Sequence, residues 1–187
     1  MRFPSINSNY PKVQEVLEFY ELMDSSINNR FKAAKLNLAN GAGIVDPELI
    51  GKTWEDIDGY FKVLHDEADK QASMFLIASA EAVIRIDFLN RVRNRLKDKV
   101  SLTFRKIEKK RRNQKSRNVR LDDDILDTWA NNVLSAKKLV GDFKGALKFR
   151  HWLAHGRWWR PKLGQKYDPA GIYKLIVDIF EKLPLSN

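Results

Sequence analysis

The sequence contains no cysteine, which excludes disulfides and thiolate metal ligands. No apolar run approaches the roughly 20 residues that a membrane-spanning helix needs. The N-terminal "MRFPSINSNYPKVQ" has no apolar h-region, so no secretion signal is read there. The expectation is a cytoplasmic protein that does not engage a membrane. Clean polar/apolar alternation is absent, which argues against strands. Acidic residues are also in deficit, with 24 Asp+Glu against 34 Lys+Arg and a net charge of +10. An excess of this size points to a polyanionic partner, although solubilising charge is the plainer explanation.

What is present has helical spacing. A first helix opens near Pro11, a residue favoured at the first helical position, and carries Val13, Val16, Leu17, Tyr20 and Met23 on one stripe. The stripe extends through Ile27, Phe31 and Leu36 and stops at "NGAG", 40 to 43. Thr53 reads as an N-cap, with Asp56 three residues on and an apolar face from Trp54 to Leu64. The segment 73 to 96 is apolar nearly all round in its first half, as a central bundle helix is. "DDD" at 122 to 124 offers a cap for a helix over Ile125, Trp129, Val133 and Leu134. Another helix covers about 138 to 156 and ends at Gly156, and the last starts near Asp168 and Pro169. The sum is an all-α bundle of five to six helices in a single domain, 1 to 187, with the basic stretch of about 101 to 120 as an extension.

Histidine is scarce, and its distribution is uneven. Of three in the chain, two fall in "ALKFRHWLAHGRWWRPK", 146 to 162, together with Arg150, Arg157, Arg160 and two adjacent tryptophans. His151 and His155 are spaced i, i+4, which puts both imidazoles on one helix face. Arg150 lies about 140° around a regular helix from His155. Imidazole exchanges protons near neutral pH, and guanidinium holds phosphate oxygens without losing its charge. That combination suits metal-free cleavage of RNA, with no cofactor. Two other readings stand beside it. The residues are compatible with an ordinary exposed helix end. H-x3-H also binds zinc, but only with a further ligand, and the remaining histidine, His65, is distant in sequence.

"FRHWLAHGRWW" resembles the R-x4-6-H signature of the HEPN superfamily, whose members include toxin ribonucleases and phage-defence proteins. The likeness extends to "LIASAEAVIRIDFLNR", 76 to 91, similar to the central helix of several HEPN groups, and to the stretch following the motif. It implies a helical bundle acting as a homodimer, with two motifs facing one composite cleft. By that resemblance Arg150, His155 and His151 are catalytic, and Glu81 and Arg85 face the motif from the central helix. The implied activity is endoribonuclease cleavage of single-stranded RNA in a toxin or phage-defence setting. The alternative is a non-catalytic HEPN-fold module that binds nucleic acid, an acidic antitoxin or a nucleotidyltransferase partner. A basic DNA-binding protein is a third option, but no clear helix-turn-helix is visible.

Several residues have two readings. Glu81 and Arg85 form either an internally satisfied i, i+4 ion pair or a support for Arg150, and Asp87 and Arg91 extend that network. Arg157, Arg160, Lys162 and Lys166 are candidates for RNA phosphate contacts. Trp158 and Trp159 are candidates for base stacking, with at least one of the two indoles expected in packing. The sequence does not place Tyr167 relative to the cleft. The run 105 to 120 is an RNA-guiding face, a docking surface for an acidic antitoxin, or a solvated helix end.

Overall fold

Six α-helices and no strand occur among the described residues, which in this computed structural model are 10–43, 46–113 and 118–186. The helices are α1 (Val13–Ala39), α2 (Trp54–Arg93), α3 (Lys99–Asn113), α4 (Asp127–Asn132), α5 (Lys137–Ala154) and α6 (Pro169–Lys182). The all-α bundle expected from the spacing is what forms.

α1 begins at Val13, two residues beyond Pro11, with Lys12 in the capping position. The Lys12 backbone N–H donates to the Glu15 carboxylate at 3.0 Å, and the Pro11 carbonyl accepts from Ser79 Oγ. The helix ends where the sequence indicated, with Gly41 at φ +64. Leu36 departs from the expected stripe: it is 61% exposed. Thr53 caps α2 as expected, with its Oγ1 accepting from Asp56 N and Asp56 Oδ2 accepting from Thr53 N.

The two helical segments read after Thr53 are one uninterrupted 40-residue helix, about 60 Å long. Its first half pairs with α1 around a small cluster of Ala34, Leu49, Ile57 and Phe61. Its second half enters the main core through Leu76, Ile77, Ala80, Ile84, Phe88 and Val92. Phe104, Trp129, Phe143, Phe149, Ile172 and Ile176 close that core from the other helices, and Trp129 is fully buried.

The aspartates at 122 to 124 do not supply the N-cap, which is Arg120, but all three stand in the first turn, where their charge complements the helix dipole as expected. They lie in a π-helical turn, Leu121–Leu126, in which Ile125 N donates to Arg120 O and Asp127 N to Asp122 O. The π turn inserts an extra residue per turn and runs directly into the short α4. Asp124 instead receives both Arg111 Nε (3.1 Å) and Nη2 (2.8 Å), which fastens the end of α3 to this turn. Burial pushes the Asp124 carboxyl up, but hydrogen bonds from Arg111 and from Arg120 N outweigh that and hold it below the usual carboxylate range. The basic run is helical as far as Asn113, and its residues 114–117 lie outside the described ones. At α6, Asp168 Oδ1 accepts from Gly171 N at 2.8 Å, with Pro169 in the first turn. No helix among the described residues is long and apolar enough to cross a membrane.

Candidate functional site

The end of α5 builds the site. His155 terminates the helix, and its N–H still bonds to His151 O at 3.1 Å. Gly156 then adopts φ +80, a left-handed conformation that costs glycine little. The Arg157 N–H reaches back to Trp152 O, the 6→1 bond of a Schellman ending. Arg157 is itself at φ +58, unusual for a side-chain-bearing residue. Its Nη1 pairs with Glu67 Oε1 at 2.6 Å, tying the turn to α2. This guanidinium first, and Lys70 second, hold the Glu67 carboxyl below its usual range. The Trp152 indole N–H donates to Trp159 O at 2.6 Å. The segment after Trp158 is thereby folded back along α5, where Trp159, Pro161, Lys162 and Leu163 form one wall of a cavity of about 730 Å³.

The opposite walls come from α2, through Glu81 and Arg85, and from Asn118–Asp123 leading into the π turn. α5 supplies Leu147, Lys148, Arg150 and His151. Glu81 bonds Arg85 Nε at 2.9 Å, and its second oxygen is 3.7 Å from Arg150 Nη1. That is an ion pair without a hydrogen bond, and Arg150 Nε has no hydrogen-bond partner among the described residues. The Arg150 guanidinium is thus drawn toward Glu81 but only loosely held. Loss of hydration against the cavity wall raises the Asp122 carboxyl above its usual range. Lys144 opposes that rise, and Asp123 and Glu81 add to it.

The two motif histidines stand together, with ring centroids 4.1 Å apart. They do not share the cavity equally. His151 lines it, whereas His155 does not, and touches it only through the His151 ring. The angular divergence of Arg150 from His155 is therefore real in the folded chain. Lys162 lines the cavity, and Arg160 is exposed outside its lining. Arg157 is engaged with Glu67 and is not a free cation. Trp158 is 82% exposed and meets Trp159 edge to face. Trp159 is the indole of the two that lines the cavity, 6.2 Å from His151.

Tyr167 does not approach this cleft. It stacks on Phe149 at 5.4 Å in a separate hollow of about 290 Å³ and lies against Gly145, where a Cβ would meet its hydroxyl at 2.2 Å. Asp87 and Arg91 do not extend the motif network either. Arg91 binds Asp87, Asp98, Ser101 and the Pro184 carbonyl, and its guanidinium lies over the Trp129 ring. His65 pairs with Asp24 at 2.9 Å, away from the motif. No group of three or more His, Asp or Glu side chains among the described residues is arranged to hold a metal ion. Lys148 was missed in the sequence, although its i, i+3 spacing to His151 puts it on the cavity side of α5.

Comparison with protein-family models, with curated proteins and with solved structures returns no match.

Proposed function

We propose that the chain is a metal-independent endoribonuclease of HEPN type, acting on single-stranded RNA as a toxin or phage-defence effector. The observation that carries this reading is the contact of His151 and His155 at the rim of a cavity walled by the under-satisfied Arg150 guanidinium. A neutral imidazole removes the proton of a ribose 2′-OH. The oxygen attacks the adjacent phosphorus, and Arg150 stabilises the charge that builds on the phosphorane oxygens. The bond from phosphorus to the 5′-oxygen breaks as an imidazolium returns a proton to that oxygen. Glu81 positions Arg150 without neutralising it, because its stronger bond goes to Arg85. Lys162 adds a phosphate contact at the cavity wall, and Arg160 and Trp158 engage the flanking strand from their exposed positions.

His155 stands outside the cavity of its own copy. A homodimer in which two motifs face each other gives His155 access to the substrate held by its mate. The same placement favours a second reading, a non-catalytic module of this fold that binds nucleic acid, an antitoxin or a nucleotidyltransferase partner. RNA cleavage in excess EDTA separates the two. The nuclease reading expects products ending in 2′,3′-cyclic phosphate and 5′-hydroxyl, and resistance of a 2′-deoxy substitution at the scissile position. His155→Ala and Arg150→Ala should each lower the rate by about 10²–10⁴-fold with the fold intact. Full activity in His155→Ala, or cleavage of DNA, overturns it.

A further inference from the structure

The outer face of α3 carries a cluster of exposed cations that the catalytic reading leaves unused. Lys106, Lys109, Lys110 and Arg112 are all exposed, and no ion pair joins any of them to a carboxylate among the described residues. At 100° per residue these four occupy an arc of about 160° centred opposite the buried Phe104, and they span about 9 Å of helix. Phe104 and Val100 hold the inner face in the core. Arg111, on the last turn, is the exception among the cations. It is spent on Asp124, and that bond sets the geometry.

Asp124 also accepts from Arg120 N at 2.8 Å, and the residues between them, Leu121 to Asp123, wall the cavity. The bidentate Arg111–Asp124 pair therefore fixes the basic end of α3 against the cavity wall. The acidic neighbours on that wall are partly neutralised, Asp123 by Arg120 at 2.7 Å and Glu81 by Arg85. Cations resume on the far side with the exposed Lys148 and Lys162. Arg111 leaves α3 on the side opposite that arc, so the four cations are carried outward on a helix whose last turn is bonded to the cavity wall, where Glu81 and Asp123 are paired.

We infer that α3 is a phosphate-holding track along which single-stranded RNA enters the cavity, with Lys106, Lys109, Lys110 and Arg112 as its contacts. This rests on the proposed nuclease reading for its direction, and its test is binding, which does not require cleavage. Lysine and arginine contacts to backbone phosphates give affinity without sequence preference, and they weaken as salt rises.

The probe is a fluorescent 20-nucleotide single-stranded RNA, titrated by anisotropy at several salt concentrations into the full chain carrying His155→Ala, so that no cleavage intervenes. The fourfold change Lys106→Gln, Lys109→Gln, Lys110→Gln and Arg112→Gln should weaken binding about tenfold or more at 0.1 M salt. It should also flatten the slope of log affinity against log salt by about 0.7 for each phosphate that the variant no longer neutralises. A matched set elsewhere, Lys32→Gln, Lys35→Gln, Lys62→Gln and Lys182→Gln, removes the same charge and should leave the slope unchanged. Equal effects in both sets reduce the result to net charge and overturn the track. So does unchanged RNA binding in the α3 set, and if that set instead loses binding to polyglutamate, α3 is a surface for an acidic protein. Binding along α3 without cleavage by the unsubstituted chain keeps the track and sinks the nuclease; cleavage with unchanged binding in the α3 set does the reverse. Photo-crosslinking of 4-thiouridine RNA to the unsubstituted chain gives a readout independent of the variants' folding. Crosslinks on α3 support the track, and crosslinks confined to other helices overturn it.

Discussion

Two ion pairs on α2 have the same chemistry and spacing and opposite surroundings. Glu81–Arg85 and Asp87–Arg91 are both acidic-to-arginine pairs at i, i+4, with bonds of 2.9 and 2.8 Å. The Asp87 and Arg91 side chains are 1% and 6% exposed; those of Glu81 and Arg85 are 18% and 43% exposed. Arg91 spends its remaining donors on Asp98, Ser101 and the Pro184 carbonyl, while Asp87 Oδ1 also accepts from the Ser186 N–H and hydroxyl. That cluster ties the C-terminal segment and the start of α3 to α2. Arg85, in contrast, opens onto the cavity, and Glu81 keeps an oxygen directed toward Arg150. Spacing creates the pair; the neighbours decide whether it seals the fold or stays accessible to a ligand.

The largest expected effect is on the sealed pair. Asp87→Ala leaves Arg91 as a buried, partly uncompensated cation and should cost about 3–5 kcal/mol. Denaturant unfolding measures it, and a cost no greater than that of Glu81→Ala would erase the contrast between the two pairs.

Asp124→Asn tests an intermediate case, an ion pair that is partly buried and joins two elements. It should cost roughly 1–3 kcal/mol near neutral pH. The folded carboxyl titrates below its ordinary value, so the pair's contribution is fully present above that ordinary value, about 3.9, and is lost as pH falls through the depressed one. The melting temperatures of wild type and variant should therefore converge in acid, and a difference that grew there would contradict the assigned cause.

Glu81→Ala should have a smaller effect on stability, about 1 kcal/mol, because its partners are substantially solvated. On the proposed nuclease reading its effect on RNA cleavage should be larger, since Arg150 loses the carboxylate that draws it into place. Glu81→Gln should restore most of the stability and less of the activity. Equal recovery of both would make Glu81 a structural residue like Asp87.

The smallest effect is expected at Asp122, whose carboxyl is raised by loss of hydration, with Asp123 and Glu81 adding to the rise. Folding disfavours its charged form, so Asp122→Asn should slightly raise the melting temperature at neutral pH. That gain should fade as pH falls through the raised folded value and vanish below the ordinary one. A loss of stability at neutral pH would count against it.

Much of the architecture was legible in the sequence. The all-α class follows from the apolar spacing, and the Thr53, Asp168 and Gly41 boundaries follow from capping chemistry that acts within a few residues. The adjacency of His151 and His155 was legible for the same reason. The aspartates at 122 to 124 misled only as to the N-cap, which is Arg120; Asp124 takes both the local Arg120 N–H and Arg111, 13 residues away. Arg157 looked like a free phosphate contact until Glu67, 90 residues distant, claimed it. Trp158 and Trp159 could not be told apart in sequence. The Schellman turn and the Trp152-to-Trp159 bond aim one at the cavity and the other at solvent.

The sequence by itself determined the helices, their caps, the basic excess and the clustering of imidazole and guanidinium at one helix end. These depend on backbone sterics and contacts within a turn or two, and every such partner is close in the chain. The tertiary structure alone decided that Arg150 meets Glu81, that His155 stays outside its own cavity, and that Asp87–Arg91 is sealed while Glu81–Arg85 is open. Those outcomes depend on which distant surfaces exclude water from a charge, and no local spacing encodes that.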